Sequence, residues 1–324
     1  MLYPLKFDPI LKEKIWGGNK LKTILGKPVS STKIGESWEI STIQGNVSVV
    51  SNGSLKGIGL GELIKKYKGD LIGEKVYKAF GNTFPLLIKF IDAHEDLSIQ
   101  LHPRDELAQK RHNSYGKTEM WYVVQADNEA KIIVDFNRET TKEEYQSYLK
   151  EGKLIDLLNF ERISKGDSFL ITSGTIHAIG KGSLIAEIQQ TSDITYRVYD
   201  WNRKDEKGNS RELHTDLAID ALDFSTGKKL KLSYGKKSNQ INEIISIPYF
   251  TTNFIDVDTV FKRDCKQDDS FRILMCVEGK GTINTKEYSL PISAGETILI
   301  PAKIESLSFE SAEKDMKLLE VYIK

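Results

Sequence analysis

Short apolar runs broken by turn residues recur along most of the chain, a pattern of many strands and few long helices. Ser48-Val49-Val50, Leu86-Leu87-Ile88-Lys89-Phe90, Trp121-Tyr122-Val123-Val124, Lys131-Ile132-Ile133-Val134 and Ser168-Phe169-Leu170-Ile171 are the clearest. Asp127-Asn128 falls between two of them and predicts a hairpin turn. Three stretches change the period. Apolar residues at 60, 63, 64 and 67 line one helical face, and residues 76–80 continue helical structure after the Gly69-Asp70 break. Over 141–158, Thr141 with Glu144 forms a capping box, and Tyr145, Tyr148 and Leu149 share a face. Over 210–222, Leu213, Leu217 and Ala221 form a stripe flanked by Ala218 and Leu222. The pattern predicts a mainly β protein with helices packed outside the β core.

A second β-rich run begins near Ile245, after a connection rich in Lys, Gly and Ser over 226–238. It repeats the first run. Tyr122-Val123-Val124-Gln125-Ala126-Asp127 aligns with Ile273-Leu274-Met275-Cys276-Val277-Glu278. Gly166, Thr172, Ser173, Gly174 and His177 recur at the same spacing as Gly295, Pro301, Ala302, Lys303 and Ser306. Glu119 falls opposite Ser270 or Asp269. The second copy keeps the frame and loses the histidine.

Composition narrows the partners. The 324 residues balance 46 basic against 46 acidic, so no basic field draws in nucleic acid. A local cationic pocket for a small anion remains open. No signal peptide and no bilayer-length apolar run appear, which predicts a cytoplasmic protein with no membrane partner. Cys265 and Cys276 suit neither a disulfide framework nor a zinc knot.

Chemistry concentrates in three segments that read as strand rims: Ser98 to Pro103, Lys117 to Tyr122, and Gly166 to His177. They carry His102, Glu119 and His177, with only five histidines in the chain. Two imidazoles and one carboxylate hold a divalent metal and leave a position open. Taken alone, this set suits iron as well as zinc.

The Gly166–Gly174–His177 frame resembles the second motif of the cupins, with Thr172 in place of the usual proline. Gln100 and His102 stand where cupins carry two spaced histidines, and Glu119 follows. This Gln-x-His variant resembles the zinc-dependent type I mannose-6-phosphate isomerases, in their compact bacterial form. Further matches run in order along nearly the whole chain. They are Glu13, Ile15-Trp16-Gly17-Gly18 with Leu21, Gly35 to Ser41, Thr175-Ile176-His177-Ala178, Glu187-Ile188-Gln189-Gln190, and Thr195 to Trp201.

The resemblance implies two cupin (jelly-roll) β-barrel modules with additional helices. Residues 1–225 would be the catalytic cupin module, with an N-terminal β segment and helical insertions. Residues 226–324 would be a metal-free cupin module. It implies one zinc per chain on Gln100, His102, Glu119 and His177. The implied reaction interconverts mannose 6-phosphate and fructose 6-phosphate through a cis-enediol. Arg197, Lys117 and Glu187 are the implied catalytic groups, and Ser98, Lys117 and Arg197 the groups on the sugar phosphate. The base is open among Glu187, a metal-bound water and a histidine. Arg203 reads as a solvated side chain, and His94 and His112 as surface or loop residues. His214 reads as capping or packing. The four tryptophans read as core anchors, with Trp16 the one to reach the pocket. The rivals are an iron-dependent cupin dioxygenase and a metal-containing sugar-binding protein without turnover. Oligomeric state is not legible.

Overall fold

The computed structural model describes residues 2–205, 207–225 and 227–324; Thr226, at the start of the expected connection, lies outside the described residues. Four antiparallel sheets form two sandwiches. In the first, a seven-stranded sheet runs in the order Lys231–Leu232, Ser168–Ile171, Glu119–Ala126, Ser183–Gln190, Leu86–Ala93, Ile34–Ile40, Ile10–Gly18. It faces a five-stranded sheet of Leu158–Arg162, Lys131–Phe136, His177–Ile179, Ile99–Leu101 and Tyr196–Tyr199. Between them pack Trp121, Val123, Phe169 and Ile185 from one side and Ile132, Val134 and Ile179 from the other. The second sandwich pairs a six-stranded with a four-stranded sheet over Leu274, Ile298, Leu318, Ile283 and Phe309.

The two large sheets then turn their remaining faces to each other. Phe90, Met120, Tyr122 and Ile188 meet Phe254, Ile273, Met275 and Leu319 in one cluster. This explains why strands such as Leu86–Ala93 are buried along both faces and read as continuous apolar runs. The expected closed barrels are not found among the described residues, since the sheets of each half stay separate. The halves exchange edge strands. Leu5–Lys6 pairs with the strand Thr297–Ile300, and Lys231–Leu232 pairs back onto Ser168–Ile171.

Helices cover the outside. Leu60–Tyr67 and Glu74–Phe80 form as predicted, with Gly69–Ile72 helical between them. Thr141 accepts the N–H of Glu144 at 3.2 Å, as a capping box requires. That helix stops at Lys150, because Gly152 takes a left-handed φ of 70° and a strand starts at Leu158. The stretch 210–222 is helical only over Thr215–Ile219. Ser48-Val49-Val50 makes isolated bridges instead of a strand. The helix Asp105–His112 was not predicted; it buries only Ala108 and so has no apolar stripe to read.

The internal repeat is present, in a register two residues away from the expected one. Gly166 donates to the Val123 carbonyl at 2.8 Å, and Val123 N–H donates to the Asp167 carbonyl at 2.9 Å. Gly295 and Cys276 repeat both bonds with Glu296, at 2.8 and 2.9 Å. Both glycines have left-handed φ, 82° and 87°. Val123 therefore matches Cys276, and Glu119 matches Arg272 instead of Ser270 or Asp269. The same frame places Glu320 opposite Leu274 and Asn253, as Glu187 lies opposite Trp121 and Lys89.

Candidate functional site

Two cross-strand rows build the site. Neighbours directly across antiparallel strands share a face. On the five-stranded sheet, His177 pairs with Gln100 and Gln100 with Arg197. On the facing sheet, Trp121 pairs with Glu187, Glu187 with Lys89, and Lys89 with Trp38. Glu119 sits two residues before Trp121 on the same strand and so shares its face, and Lys117, just ahead of that strand, reaches the cavity.

His102, Glu119 and His177 converge. Their ligating atoms lie within 4.8 Å of one another, and all three residues are buried. His102 Nδ1 donates to the Ile194 carbonyl and His177 Nδ1 to the Thr175 carbonyl, each at 2.9 Å. These bonds leave both Nε2 lone pairs facing the centre, the tautomer a metal ligand needs. Glu119 Oε1 is buried and makes no hydrogen bond, although His102 Nε2 is 3.1 Å and Lys117 Nζ 2.8 Å away. The Lys117 ammonium also approaches His102 Nε2 at 3.2 Å, so a cation already stands between the two ligands. The donor set fits a divalent metal. Gln100 is half-buried beside it, with Nε2 3.5 Å from His177 Nε2 and Oε1 accepting from Ser98 at 3.4 Å. The two ends of the amide exchange by a half-turn.

The electrostatics leave the two imidazoles neutral and the carboxyl ionised, the forms a metal site requires. Burial, with Lys117 adding to it, pushes the His102 imidazole down to about 3. Burial lowers His177 as well. Burial also opposes the charged form of Glu119, but the cationic surroundings, Lys117 foremost, outweigh it and hold the carboxyl well below its usual range. Glu187 goes the other way, raised by burial and by the charge of Glu119 against the pull of Lys89. Trp121 Nε1 donates to both Glu119 Oε2 and Glu187 Oε2, each at 3.0 Å.

Gln100, Trp121, His177 and Glu187 border a cavity of about 440 Å³ whose lining also includes Trp16, Trp38, Lys117, Arg197 and Arg211. Arg197 Nε donates to Ser98 Oγ at 3.3 Å and Nη1 to the Glu212 carbonyl at 2.8 Å. Trp38 and Trp121 therefore serve the cavity as well as the core, beyond the Trp16 contact foreseen. Arg203 is not solvated; it pairs with Asp200 and the Asp96 carbonyl, both at 2.5 Å. His94 and His112 are exposed, and His214 Nδ1 accepts the N–H of Arg197 at 3.2 Å.

Sequence reading missed Lys89 and Glu36. Lys89 donates to Glu187 at 3.0 Å and Gln189 at 2.7 Å, with Nζ 5.3 Å from the Trp38 ring centre. Burial pulls its ammonium down, but Glu187, Glu36 and Glu119 outweigh it and raise it above the ordinary value. The signal was available: a lysine inside Leu86-Leu87-Ile88-Lys89-Phe90-Ile91 has no reason to be buried unless paired.

No helix among the described residues is long and apolar enough to cross a membrane. Residues 4–151 match the family "Phosphomannose isomerase type I, catalytic domain", and 240–323 match "Mannose-6-phosphate isomerase, cupin domain". Mannose-6-phosphate isomerase ManA of Bacillus subtilis is 36% identical over 310 residues, covering 95% of this chain and 96% of that one. Mannose-6-phosphate isomerase of Streptococcus mutans is 37% identical over 319 residues, covering 96% of each. A crystal structure of mannose 6-phosphate isomerase from Bacillus subtilis superposes with a TM-score of 0.90 at 32% identity, covering 99% of this chain and 100% of that one. Near-complete coverage by such relatives, and a buried two-histidine, one-carboxylate centre under a cationic cavity, lead to one assignment: the chain belongs to the type I phosphomannose isomerase family.

Proposed function

We propose that this protein interconverts mannose 6-phosphate and fructose 6-phosphate through a cis-enediol. The observation that carries the reading is the Glu119–Trp121–Glu187–Lys89 chain of contacts, which sets an elevated, buried carboxyl beside a metal-fit centre. The reaction removes the C2 proton as O1 gains one, then returns a proton to C1 as O2 gives one up. Such a step needs an acid/base within reach of both carbons and positive charge near the oxygens.

Glu187 is our choice for the proton carrier. A raised carboxyl sits closer to the working pH, where proton transfer is most effective. The histidines are poor candidates, because both Nδ1 atoms are spent on backbone carbonyls and both Nε2 atoms face the centre. Lys117, which lines the cavity with Nζ 2.8 Å from Glu119 Oε1, would set its ammonium beside the sugar oxygen that takes up charge. Arg197, held by Ser98 and the Glu212 carbonyl, offers its remaining guanidinium edge to the phosphate. One zinc ion, held by His102, Glu119, His177 and Gln100, would polarise the sugar oxygens when bound. The cavity volume of about 440 Å³ suits a small molecule.

We also infer two cupin-type modules divided near residue 225, the second without metal. Arg272, Ser306 and Asn253 stand there in place of Glu119, His177 and Lys89, which removes both an anionic ligand and an imidazole. A coupled assay for fructose 6-phosphate, with and without chelator, tests the activity. His102→Ala or His177→Ala should abolish metal content and turnover together. A fully active, metal-loaded variant at either position would sink the site. Zinc by elemental analysis supports the metal assignment, and iron with oxygen uptake refutes it.

A further inference from the structure

We propose that Tyr249, from the second half of the chain, is a positioning residue for Lys117, acting through Asp105. The inference rests on the role proposed above for Lys117. Tyr249 lies in the turn joining strands Asn242–Ser246 and Thr251–Val257, which the Ile247 to Phe250 bond closes at 3.0 Å. Its hydroxyl leaves that half and donates to Asp105 Oδ2 at 2.7 Å.

Asp105 is a junction. Its Oδ1 accepts the N–H of Gly116 at 2.8 Å and the side-chain amide of Gln190 at 3.0 Å. Gln190 Oε1 in turn accepts the N–H of Thr118 at 2.9 Å. The N–H of Lys117 itself donates to the Pro103 carbonyl at 3.3 Å. Three consecutive backbone donors, 116 to 118, are thus fixed, two of them through Asp105. Space is fixed as well. A Cβ on Gly116 would lie 2.6 Å from the Asp105 backbone nitrogen, so the loop fits against the start of the helix Asp105–His112 with no slack.

The consequence falls on one side chain. Lys117 Nζ sits 2.8 Å from Glu119 Oε1 and 3.2 Å from His102 Nε2. Nothing else in the loop enters the cavity. His102, Glu119 and His177 take their places from other bonds, so loosening the loop moves the ammonium and leaves the metal ligands alone. A half that has lost its own ligands would then complete the active half by holding one cation in place.

Tyr249→Phe in the metal-loaded full chain tests this, with Tyr234→Phe as the control. Tyr234 makes an equally direct bond between the halves, to the Gly166 carbonyl at 2.6 Å, away from Lys117. Tyr249→Phe should lower kcat roughly tenfold, since a displacement of about 1 Å remote from the chemistry can cost up to about 100-fold. KM, metal content and thermal midpoint should differ little from the control. Amide exchange at 116–118 should speed up in Tyr249→Phe only. Asp105→Asn, which keeps an acceptor for Gly116, should retain more activity than Asp105→Ala. Unchanged kcat and unchanged exchange in Tyr249→Phe overturn the proposal, as does an equal kcat loss in Tyr234→Phe. A Lys117→Met protein with full activity would instead sink the role of Lys117, which separates the two failures.

Discussion

Arg272→Met tests the buried ion pair that stands in the second half where Glu119 stands in the first. Arg272 is 2% exposed, and its Nε lies 3.1 Å from Glu320 Oε1, a carboxylate that is fully buried. It also pairs with Asp268 and stacks 5.0 Å from the Tyr322 ring. Removing one partner of a buried pair costs about 3–5 kcal/mol, because the other charge is left uncompensated. Here Arg263 Nε remains 3.1 Å from the same oxygen, and Asn253 Nδ2 donates to Oε2 at 2.7 Å. The lower end therefore applies, about 3 kcal/mol, or roughly a hundredfold in the folding equilibrium. Methionine keeps most of the volume, which limits any cavity term. The double change Arg272→Met with Glu320→Leu should recover part of the loss, since an apolar replacement of both partners is often neutral but Asn253 Nδ2 loses its acceptor. Arg263, 19% exposed, can then turn to water. Urea midpoints of the single and double variants measure the difference, and metal per chain should stay at the wild-type value in both. A single-variant loss below about 1 kcal/mol, or a double variant no better than the single, would refute the buried-pair reasoning.

Other expectations follow from the same contacts. Glu187→Gln should retain metal while kcat falls by about 10²–10⁴-fold, the usual worth of a positioned acid/base, and unchanged turnover would remove it as the proton carrier. Lys89→Met strips Glu187 of its cation and pushes that carboxyl higher still; the pH–rate profile should shift its lower limb upward, and an unmoved limb refutes the link. Stability of chelator-treated protein should fall in acid. His102, down to about 3, and His177, also lowered, stay neutral in the fold, whereas the unfolded imidazoles charge below about 6.5. The unfolded chain then binds more protons, so their contribution is complete above about pH 6.5 and drains toward about pH 3. Glu119, held low, loses its contribution on acidification too, so the signs agree. A flat urea midpoint between about pH 6.5 and 4.5 would contradict this.

The first half of the site was legible because its chemistry is written as exceptions. His102, Glu119 and His177 sit in apolar strand rims, which marked them as a candidate three-point site, and the ordered family motifs, Gln100 among them, made that set specific. Lys89 was equally exceptional, a charge inside a run buried along its whole length, yet it has no partner within reach in sequence. Its partner Glu187 is 98 residues away, and only the strand pairing brings them together. The helix Asp105–His112 failed for the opposite reason. It buries one alanine, so its role is carried by a single side chain at its first turn, and periodicity has nothing to register.

The two-residue error in the repeat has a specific cause. Side chains alternate across a strand with period two, so a shift of one residue reverses every face and is detectable, whereas a shift of two leaves the apolar pattern intact. Aligning Tyr122 with Ile273 satisfied the pattern as well as aligning it with Met275. The backbone decides, through the bonds of Gly166 to Val123 and Gly295 to Cys276. In the shifted frame the second half looked merely empty, with a serine or aspartate where Glu119 stands. In the observed frame it is occupied. A guanidinium stands where Glu119 has its carboxylate, and the counterpart of Glu187 is retained as its counter-ion, Glu320. The second half thus keeps the frame and the buried acid but carries Arg272 where Glu119 stands, so it lacks one of the three groups that together fit a metal in the first half.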